Sequence, residues 1–330
     1  MTGVGGGVGQ SIIKSLAGTD YEVVALDGEV LATGLYGAAA ARLIPFATAP
    51  NFIDEILRVC REEGCSVLFP GLDAELPVLS ENSEKLAAQG VRVIVSRPEV
   101  VALSNDKQLT FTELTALGAL VPQTVDLSEV AIDDVDIPYP IVLKERVGGA
   151  RSQNLFIIRD RREIDSLLLR GVELSAYIAQ EYIEGEEYTC GSVTLDGVCR
   201  GVIVMRRILR DGDTYKCFVV RDAAIEAEVA RLIQVLQPFG ACNVQLRVRD
   251  GSIYIFEINA RCSGTTAARS LSGFNEPKMI LDYLLDGVEP DFEIQEQTIL
   301  RYWKELVVPN ALIEELRADG ALHETAVAAL

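Results

Sequence analysis

Apolar and polar positions in the first hundred residues alternate between short apolar runs and longer runs with an apolar side chain every three or four positions. The short runs predict buried strands and the longer runs predict amphipathic helices. We expect strands at residues 21–26, 66–69 and 91–95, and helices at 10–16, 52–63 and 75–89. This order predicts a small doubly wound parallel α/β sheet.

Strict alternation on both sides of Asp250-Gly251-Ser252 predicts a β-hairpin over residues 243–261. A two-residue loop would pair Gln245 with Phe256, whereas a three-residue loop pairs Gln245 with Glu257. We expect the three-residue loop, because that register sorts apolar from polar side chains. The apolar face would hold Val244, Leu246, Val248, Tyr254, Phe256 and Ile258.

The other face of this hairpin would gather Gln245, Glu257, Asn259 and Arg261 near one end. Glu257 and Asn259 leave the same face about 7 Å apart along the strand. Three oxygen ligands of this kind suit Mg²⁺, which normally shares its coordination shell with substrate phosphates. Arg261 could then bind a phosphate or carboxylate. A solvated polar face is the alternative explanation.

The glycine-rich segment at residues 2–9 leads into a helix, followed by a strand that ends at Asp27. Backbone N–H groups in such a turn can approach an anion. The same pattern is compatible with an NAD(P)-binding oxidoreductase, with Asp27 near the cofactor. The related dehydrogenases need a Tyr-x-x-x-Lys pair, which this sequence lacks. We therefore rank that alternative low.

Asp73 and Glu75 follow a predicted strand end, where open α/β sheets place ligands. They are candidate substrate contacts, although helix capping explains them equally well.

The middle of the chain carries two candidate phosphate-binding elements. A helix is expected from Ser104, capped by Ser104 or Asn105, with Lys107 in its first turn. Further on, a buried strand ends in Lys144 and runs into the glycine loop 145–152. A lid over phosphates and an ordinary glycine hairpin are both open interpretations of that loop.

The chain has 330 residues and a net charge of −19, which argues against a nucleic-acid or anionic-membrane partner. The sequence has neither an apolar run of about 18 residues nor a signal-peptide pattern. Its seven cysteines form no C-x-x-C pair, as is typical of reduced cytoplasmic thiols. The single histidine, His323, lies far from every motif in sequence. We therefore expect lysines, arginines, carboxylates and bound ions to carry the chemistry.

Taken in order, these motifs resemble the ATP-grasp superfamily over residues 1–290. The resemblance is strongest to ligases like the large subunit of carbamoyl-phosphate synthase, and weaker to biotin carboxylase and D-alanine–D-alanine ligase. The segments that carry it are 105–107, Lys144, 148–152, 180–183, 187–188, 243–245 and 257–261. The resemblance implies an N-terminal doubly wound α/β (pre-ATP-grasp) domain followed by a two-subdomain ATP-grasp fold. The implied boundaries are 1–103 for the first domain, 104–183 for the small subdomain with lid and hinge, 184–305 for the large subdomain with the metal site, and 306–330 for a C-terminal helix and tail.

The resemblance also implies roles for individual residues. ATP phosphates would be contacted by Lys107 and Lys144 and covered by a lid of Gly148, Gly149 and Ser152. Adenine would lie on the hinge of Glu181, Tyr182 and Ile183, and the ribose on Glu187. One or two Mg²⁺ (or Mn²⁺) ions would be bound by Gln245, Glu257 and Asn259, and Arg261 would stabilise the transferred phosphate. Two departures stand out: Glu145-Arg146 replaces small residues in the lid, and Gln245 replaces a carboxylate.

The basic run at residues 205–216 lies in a region that borders the acceptor pocket in similar proteins. We expect Arg206, Arg210 or Lys216 to bind a substrate carboxylate or the transferred phosphate, although a solvated hairpin is equally compatible. Arg269 follows a loop that enters a helix, a natural place for an anion.

The implied function is an ATP-dependent ligase of the cytoplasm that activates a carboxylate as an acyl-phosphate and joins it to an amine. The expected partners are small-molecule carboxylates and amines, not nucleic acid or membrane, and a homodimer is one assembly left open. Carbamoyl-phosphate synthase-like phosphorylation of bicarbonate or carbamate is the alternative. A non-catalytic nucleotide-binding module ranks lower, because Lys144, Glu257, Asn259 and Arg261 are all present.

Overall fold

The computed structural model describes residues 1–148 and 154–323, and its first part is built around parallel strands. The strands are β1 (Val24–Asp27), β2 (Ala40–Leu43), β3 (Val67–Leu68) and β4 (Arg92–Val93). The helices are α1 (Gly7–Leu16), α2 (Phe52–Glu63), α3 (Leu76–Glu81), α4 (Ser83–Ala88), α5 (Pro98–Asn105) and α6 (Lys107–Ala116). Strand β1 pairs in parallel with β2, and β3 with β4. The predicted parallel α/β arrangement is confirmed.

The backbone of the first two residues lies between these two strand pairs. The Met1 carbonyl accepts a hydrogen bond from the Leu26 N–H (2.7 Å), and the Thr2 N–H donates to the Phe69 carbonyl (3.1 Å). The glycine turn that follows therefore starts directly at the carboxyl ends of the neighbouring strands, where open α/β sheets bind ligands.

Close packing explains the glycines of this turn. A Cβ on Gly9 would lie 2.5 Å from the Gly3 carbonyl oxygen and 2.7 Å from the Val4 Cα, so no larger residue fits there. The Gly5 N–H donates to the Asp27 carboxylate (2.8 Å). Asp27, which the oxidoreductase alternative places near a cofactor, thus closes the turn itself.

Two of the predicted helices are divided differently in the structure. The helix expected at residues 75–89 is split into α3 and α4 at Asn82, whose side-chain amide donates to the Val78 carbonyl (2.8 Å) and competes with the helical bonds.

The helix expected from Ser104 begins at Lys107, because the chain bends at Asp106 after α5. The Asp106 carboxylate accepts the N–H groups of the first turn of α6, so Asp106 is the N-cap and the predicted cap, Ser104 or Asn105, is wrong.

The second part of the chain contains two antiparallel sheets. The elements are β5 (Thr124–Asp126), β6 (Ile141–Glu145), β7 (Phe156–Ile158), α7 (Arg161–Leu169), β8 (Tyr177–Glu181), β9 (Glu186–Leu195), β10 (Val198–Arg210), β11 (Asp213–Val220), α8 (Ala223–Leu236), β12 (Gly240–Arg249), β13 (Ser252–Asn259), α9 (Thr266–Leu271), α10 (Glu276–Asp286), β14 (Thr298–Leu300), α11 (Asn310–Asp319) and β15 (Ala321–Leu322). The smaller sheet has the order β5-β8-β6-β7, and the larger has the order β13-β12-β9-β10-β11-β14. Strand β15 adds antiparallel to β2 of the first part.

The hairpin of β12 and β13 pairs Gln245 with Glu257, as predicted. The predicted loop length is wrong, because Arg249 pairs with Ser252 and leaves a two-residue loop. Both residues of this loop, 250 and 251, have positive φ angles (52° and 77°), the type I′ geometry that an Asp-Gly pair favours.

A β-bulge at Phe256 reconciles the short loop with the predicted pairing. The register shifts between Gln245 and Leu246, so that Leu246 pairs with Ile255 and Phe256 is the extra residue. The apolar face consequently holds Ile253 and Ile255 in place of the predicted Tyr254 and Phe256. Helices α5 and α6 pack against β13, and α8 packs against the neighbouring strands β9 and β10. Ile255 and Leu246 are completely buried in this cluster.

Among the described residues, no helix is long and apolar enough to cross a membrane.

Candidate active site

Two adjoining cavities open where the first part of the chain meets the two antiparallel sheets. The larger cavity measures about 370 Å³ and is bounded by the glycine turn at residues 6–8, the loop at 71–74 and residues of strands β9 to β13 of the large sheet. The smaller cavity measures about 200 Å³ and lies between the two antiparallel sheets. The side chains that line both are Lys107, Arg207, Gln245, Phe256 and Glu257. We call these five residues the junction.

The smaller cavity contains most of the predicted hinge. Tyr182 and Ile183 line it, together with Val142 and Ile157 of the small sheet. Glu181 does not line it, and its carboxylate accepts a hydrogen bond from Arg249 (2.8 Å). An apolar slot beside an extended strand end can accept a flat aromatic ring.

Both predicted lysines reach this region. Lys144 is buried, donates to the Gln180 side chain (2.9 Å) and lies 4.9 Å from the centre of the Phe256 ring. Burial lowers the pKa of Lys144 to about 8. Burial also lowers the pKa of Lys107, whose ammonium donates to the Gly148 carbonyl (2.7 Å).

Only part of the predicted lid lies within the described residues. Gly148 lines the larger cavity, whereas Gly149 and Ser152 lie outside the described residues. Arg146, one of the unusual lid residues, forms ion pairs with Asp106 (2.8 Å) and Asp126 (2.7 Å). It therefore ties the start of α6 to the small sheet.

The predicted metal-binding side chains lie within hydrogen-bonding distance of one another. The Glu257 Oε1 atom accepts from the Gln245 amide (3.0 Å) and from the Asn259 amide (2.9 Å). Within residues 1–148 and 154–323, no hydrogen bond reaches Glu257 Oε2, and no group of three His, Cys, Asp or Glu side chains could hold a metal. One carboxylate and two amides suit a Mg²⁺ ion that takes its remaining ligands from phosphates and water.

Arg261 continues this polar row toward the first part of the chain. Its guanidinium forms a two-pronged ion pair with Asp73 (2.8 Å for each bond) and lies 3.4 Å from the Asn259 side-chain oxygen. Burial alone would raise the pKa of Asp73, but the charge and hydrogen bonds of Arg261 lower it below its usual value. Asp73 therefore positions Arg261 at the wall of the larger cavity.

Arg207 is a junction residue that was not among the site residues predicted from the sequence. It forms an ion pair with Glu187 (2.7 Å), which also pairs with Arg247 (2.6 Å). Burial alone would raise the pKa of Glu187, but the two arginines lower it. Strand alternation places Arg206 and Arg207 on opposite faces of β10 but does not identify Arg207 as the site residue, because Val204 and Met205, one on each face, are both buried.

The predicted acceptor residues Arg206, Arg210 and Lys216 line neither cavity. Arg206 pairs with Glu186 (3.1 Å) and stacks on Phe218, while Arg210 and Lys216 flank the Tyr215 ring. These three residues lie on the opposite side of the β10–β11 hairpin from Arg207. Their predicted place in the acceptor pocket is therefore corrected.

Glu75 and Arg269 are also displaced from the roles proposed for them. Glu75 is buried, and its carboxylate accepts from the Thr2 hydroxyl (2.7 Å), while burial raises its pKa to about 6. Arg269 is completely buried and pairs with the equally buried Glu276 (2.7 Å). Neither lines either of these two cavities, so the predicted substrate contacts are corrected to supporting residues behind the cavity walls.

Comparison with known proteins adds two family models and a set of solved structures. A model described as "PylC-like, N-terminal domain" matches residues 4–94, and one described as "ATP-grasp in the biosynthetic pathway with Ter operon" matches residues 173–306. The N5-carboxyaminoimidazole ribonucleotide synthetase in its ADP complex superimposes with a TM-score of 0.70 at 15% identity, over 88% of this chain and 77% of that chain. This chain has an ATP-grasp fold.

Further structures share the ATP-grasp fold of this chain. The N5-carboxyaminoimidazole synthetase from Staphylococcus aureus, complexed with ADP, gives a TM-score of 0.64 at 17% identity, over 97% of this chain and 95% of that one. The L-amino acid ligase from Bacillus licheniformis gives a TM-score of 0.61 at 16% identity, over 84% of this chain and 71% of the ligase. The predicted fold class is confirmed.

Curated relatives of the ATP-grasp chain include carbamoyl phosphate synthase large chains. The protein from Thermoplasma acidophilum is 24% identical over 250 residues, which is 67% of this chain and 23% of the relative. The protein from Methanothermobacter thermautotrophicus is 25% identical over 295 residues, 79% of this chain and 26% of the relative. The chain thus spans about a quarter of the length of these relatives.

Proposed function

We propose that this protein is an ATP-dependent ligase that activates a carboxylate as an acyl-phosphate and joins it to an amine, releasing ADP and phosphate. The observation that carries the proposal is the junction. A slot suited to a nucleotide and a larger polar cavity meet at a glutamate, a lysine and an arginine. Phosphoryl transfer between two bound molecules needs this arrangement, because the reacting groups must meet in a positively charged place shielded from water.

The nucleotide is assigned to the smaller cavity. Adenine would lie beside Tyr182 and Ile183, with Glu187 near the ribose. Lys144 and Lys107 would contact the phosphates, because both ammonium groups border the path from this cavity to the junction. The lowered lysine pKa values show that their charges are poorly hydrated, which strengthens their attraction for an anion.

Glu257, Asn259 and Gln245 are the residues that would hold Mg²⁺. When bound, the metal would neutralise charge that develops on the transferred phosphate. The remaining chemistry falls to the protein. Arg261, fixed by Asp73, would orient the acceptor carboxylate and stabilise the acyl-phosphate from the side of the larger cavity.

The larger cavity is assigned to the acceptor substrates. Its volume of about 370 Å³ exceeds what a bicarbonate ion needs and suits an organic acid with an amine beside it. The lining beyond the junction is rich in hydroxyl and amide groups, including Thr189, Thr214, Asn243 and Ser263. Such groups suit a polar substrate with several hydrogen-bonding positions.

Phosphorylation of bicarbonate or carbamate is the second candidate function. The similarity to carbamoyl phosphate synthase large chains over 67–79% of this chain favours it. It predicts ADP release that depends on bicarbonate and needs no amine. The proposed ligase instead needs both an organic acid and an amine.

A coupled assay of ADP release tests the two functions. The protein is incubated with ATP and Mg²⁺ and with a matrix of carboxylates and amines, in buffer freed of bicarbonate, and the products are identified by mass spectrometry. An acid–amine pair that yields ADP and an amide supports the ligase. ADP release with bicarbonate alone supports the second function, and silence across the whole matrix and with bicarbonate contradicts both.

The pKa of Lys144 predicts how nucleotide binding depends on pH. Below about pH 8 its ammonium is charged and attracts phosphate, whereas above that pH the free protein loses the proton. The affinity for ADP should therefore fall by about tenfold for each pH unit above 8. Isothermal titration calorimetry between pH 7 and 9.5 measures this slope.

The variant Lys144→Met should bind ADP weakly and without this pH dependence. Lys85→Met is the matched control, because Lys85 is exposed and pairs with Asp54 on the surface. An unchanged pH slope in Lys144→Met would show that another group titrates.

A further inference from the structure

A continuous row of hydrogen-bonded side chains connects the two cavities. It starts at the hinge, where Arg247 donates to the Ile183 carbonyl (2.8 Å), and passes through Glu187 to Arg207. Arg207 donates in turn to the Gln245 side-chain oxygen (2.6 Å). The side-chain N–H of Gln245 donates to Glu257. The nucleotide slot is thus linked to the metal-binding hairpin through Arg207.

The bond from Arg207 occupies the atom that Gln245 would offer to a metal. An amide side chain has one oxygen with two lone pairs, and here one of them accepts from a guanidinium at 2.6 Å. A Mg²⁺ ion about 2.1 Å from the same oxygen would place two cations on one neutral atom. Their repulsion in a poorly hydrated site is unfavourable. Gln245 is therefore held away from metal binding until Arg207 moves.

Arg207 needs a new anionic partner in order to release Gln245. Its side chain is about 10% exposed, so the guanidinium cannot turn to water instead. Its Nε (2.9 Å) and Nη2 (2.7 Å) atoms both contact Glu187 Oε1, and Nη2 also donates to Gln245 at the junction. A phosphate that arrives at the junction offers two oxygens to a planar guanidinium, which is a stronger partner than a neutral amide.

We propose that Arg207 binds the terminal phosphate of a nucleoside triphosphate at the junction and thereby releases Gln245 to the metal. This inference rests on the proposed function and adds a residue that distinguishes a triphosphate from a diphosphate. Arg247 cannot bind the terminal phosphate, because it lines the smaller cavity but not the larger one and donates to the hinge carbonyl of Ile183. Arg206, the sequence neighbour of Arg207, lines neither cavity.

Equilibrium binding of two nucleotides tests the assignment without any acceptor substrate. The dissociation constants of ADP and of adenylyl imidodiphosphate, a non-hydrolysable triphosphate, are measured with Mg²⁺ present. Arg207→Met should weaken the triphosphate by about ten- to a hundredfold relative to ADP, as expected for a charged hydrogen bond. Arg207→Lys should recover part of the loss, and Arg206→Met should keep the wild-type ratio.

A second measurement concerns Gln245. In the ADP complex, Arg207→Met should bind Mn²⁺ more tightly than the wild type, because the amide oxygen is released without a phosphate. Paramagnetic resonance of free Mn²⁺ gives this affinity. Equal Mn²⁺ affinities would overturn the release of Gln245.

Loss of folding is controlled by a paired variant. Arg207→Met leaves Glu187 with one arginine partner, whereas Glu187→Gln/Arg207→Met removes both charges of the pair. A merely structural role for Arg207 lowers the affinities for both nucleotides equally and overturns the proposal. If the wild type binds neither nucleotide, the proposed function fails as well; an unchanged affinity ratio in Arg207→Met refutes the Arg207 assignment alone.

Discussion

Replacing Glu257 with glutamine should lower the rate of ADP release by about 100- to 1,000-fold. Glu257 supplies the one carboxylate of the proposed metal set, and its Oε1 atom also orients Gln245 and Asn259. The substitution keeps the shape of the side chain and removes its charge. Steady-state kinetics with the acid–amine pair found in the matrix assay measure the effect.

Glu186→Gln is the matched control for this substitution. Glu186 lies at the start of β9, is exposed and pairs with Arg206 on the far side from the cavities. It should retain the wild-type rate. A Glu257→Gln protein that is folded, binds ADP and turns over as fast as the wild type would exclude the hairpin as the metal site.

Replacing Arg269 with methionine should lower the free energy of unfolding by about 3–5 kcal/mol. Arg269 and Glu276 are both completely buried, so the substitution leaves a carboxylate in the core without its partner. Arg269 also donates to Thr189 (3.2 Å) and contacts Asn243, both of which line the larger cavity. Urea denaturation followed by circular dichroism measures the loss.

Two comparisons separate this effect from a general sensitivity to substitution. Glu62→Gln breaks the exposed pair with Arg58 and should change the stability by less than about 1 kcal/mol. Arg269→Met/Glu276→Gln should be more stable than Arg269→Met alone, since no unpaired charge remains. Equal stability of Arg269→Met and wild type would show that the buried pair is not a stabilising contact.

The sequence predicts the pairing of Gln245 with Glu257 correctly but for an incomplete reason. Apolar patterning demands that Glu257 face away from the core, and this demand is strong enough to determine the register at the site end. The turn has its own preference, since Asp-Gly favours a two-residue type I′ loop. The conflict is resolved by a bulge at Phe256, which neither preference predicts when considered separately.

The buried and paired residues show where reasoning from sequence ends. Arg269 resembles a helix-terminal anion site until Glu276, on the next helix, is found beside it. Arg206 and Arg207 are chemically identical and lie on opposite faces of β10, and the buried residues before them, Val204 and Met205, also lie one on each face. These outcomes depend on contacts between elements that are distant in sequence, and local patterns do not contain them.

The bulge at Phe256 also separates the tip of the hairpin from the end that carries Gln245 and Glu257. Because the register is reset between the turn and Glu257, the spacing of the polar side chains does not depend on the turn alone. The tip, where Asp250 and Gly251 are exposed, is therefore a suitable position for inserting a fluorescent reporter or an affinity tag. A reporter placed there would follow motion of the β12–β13 hairpin without entering either cavity.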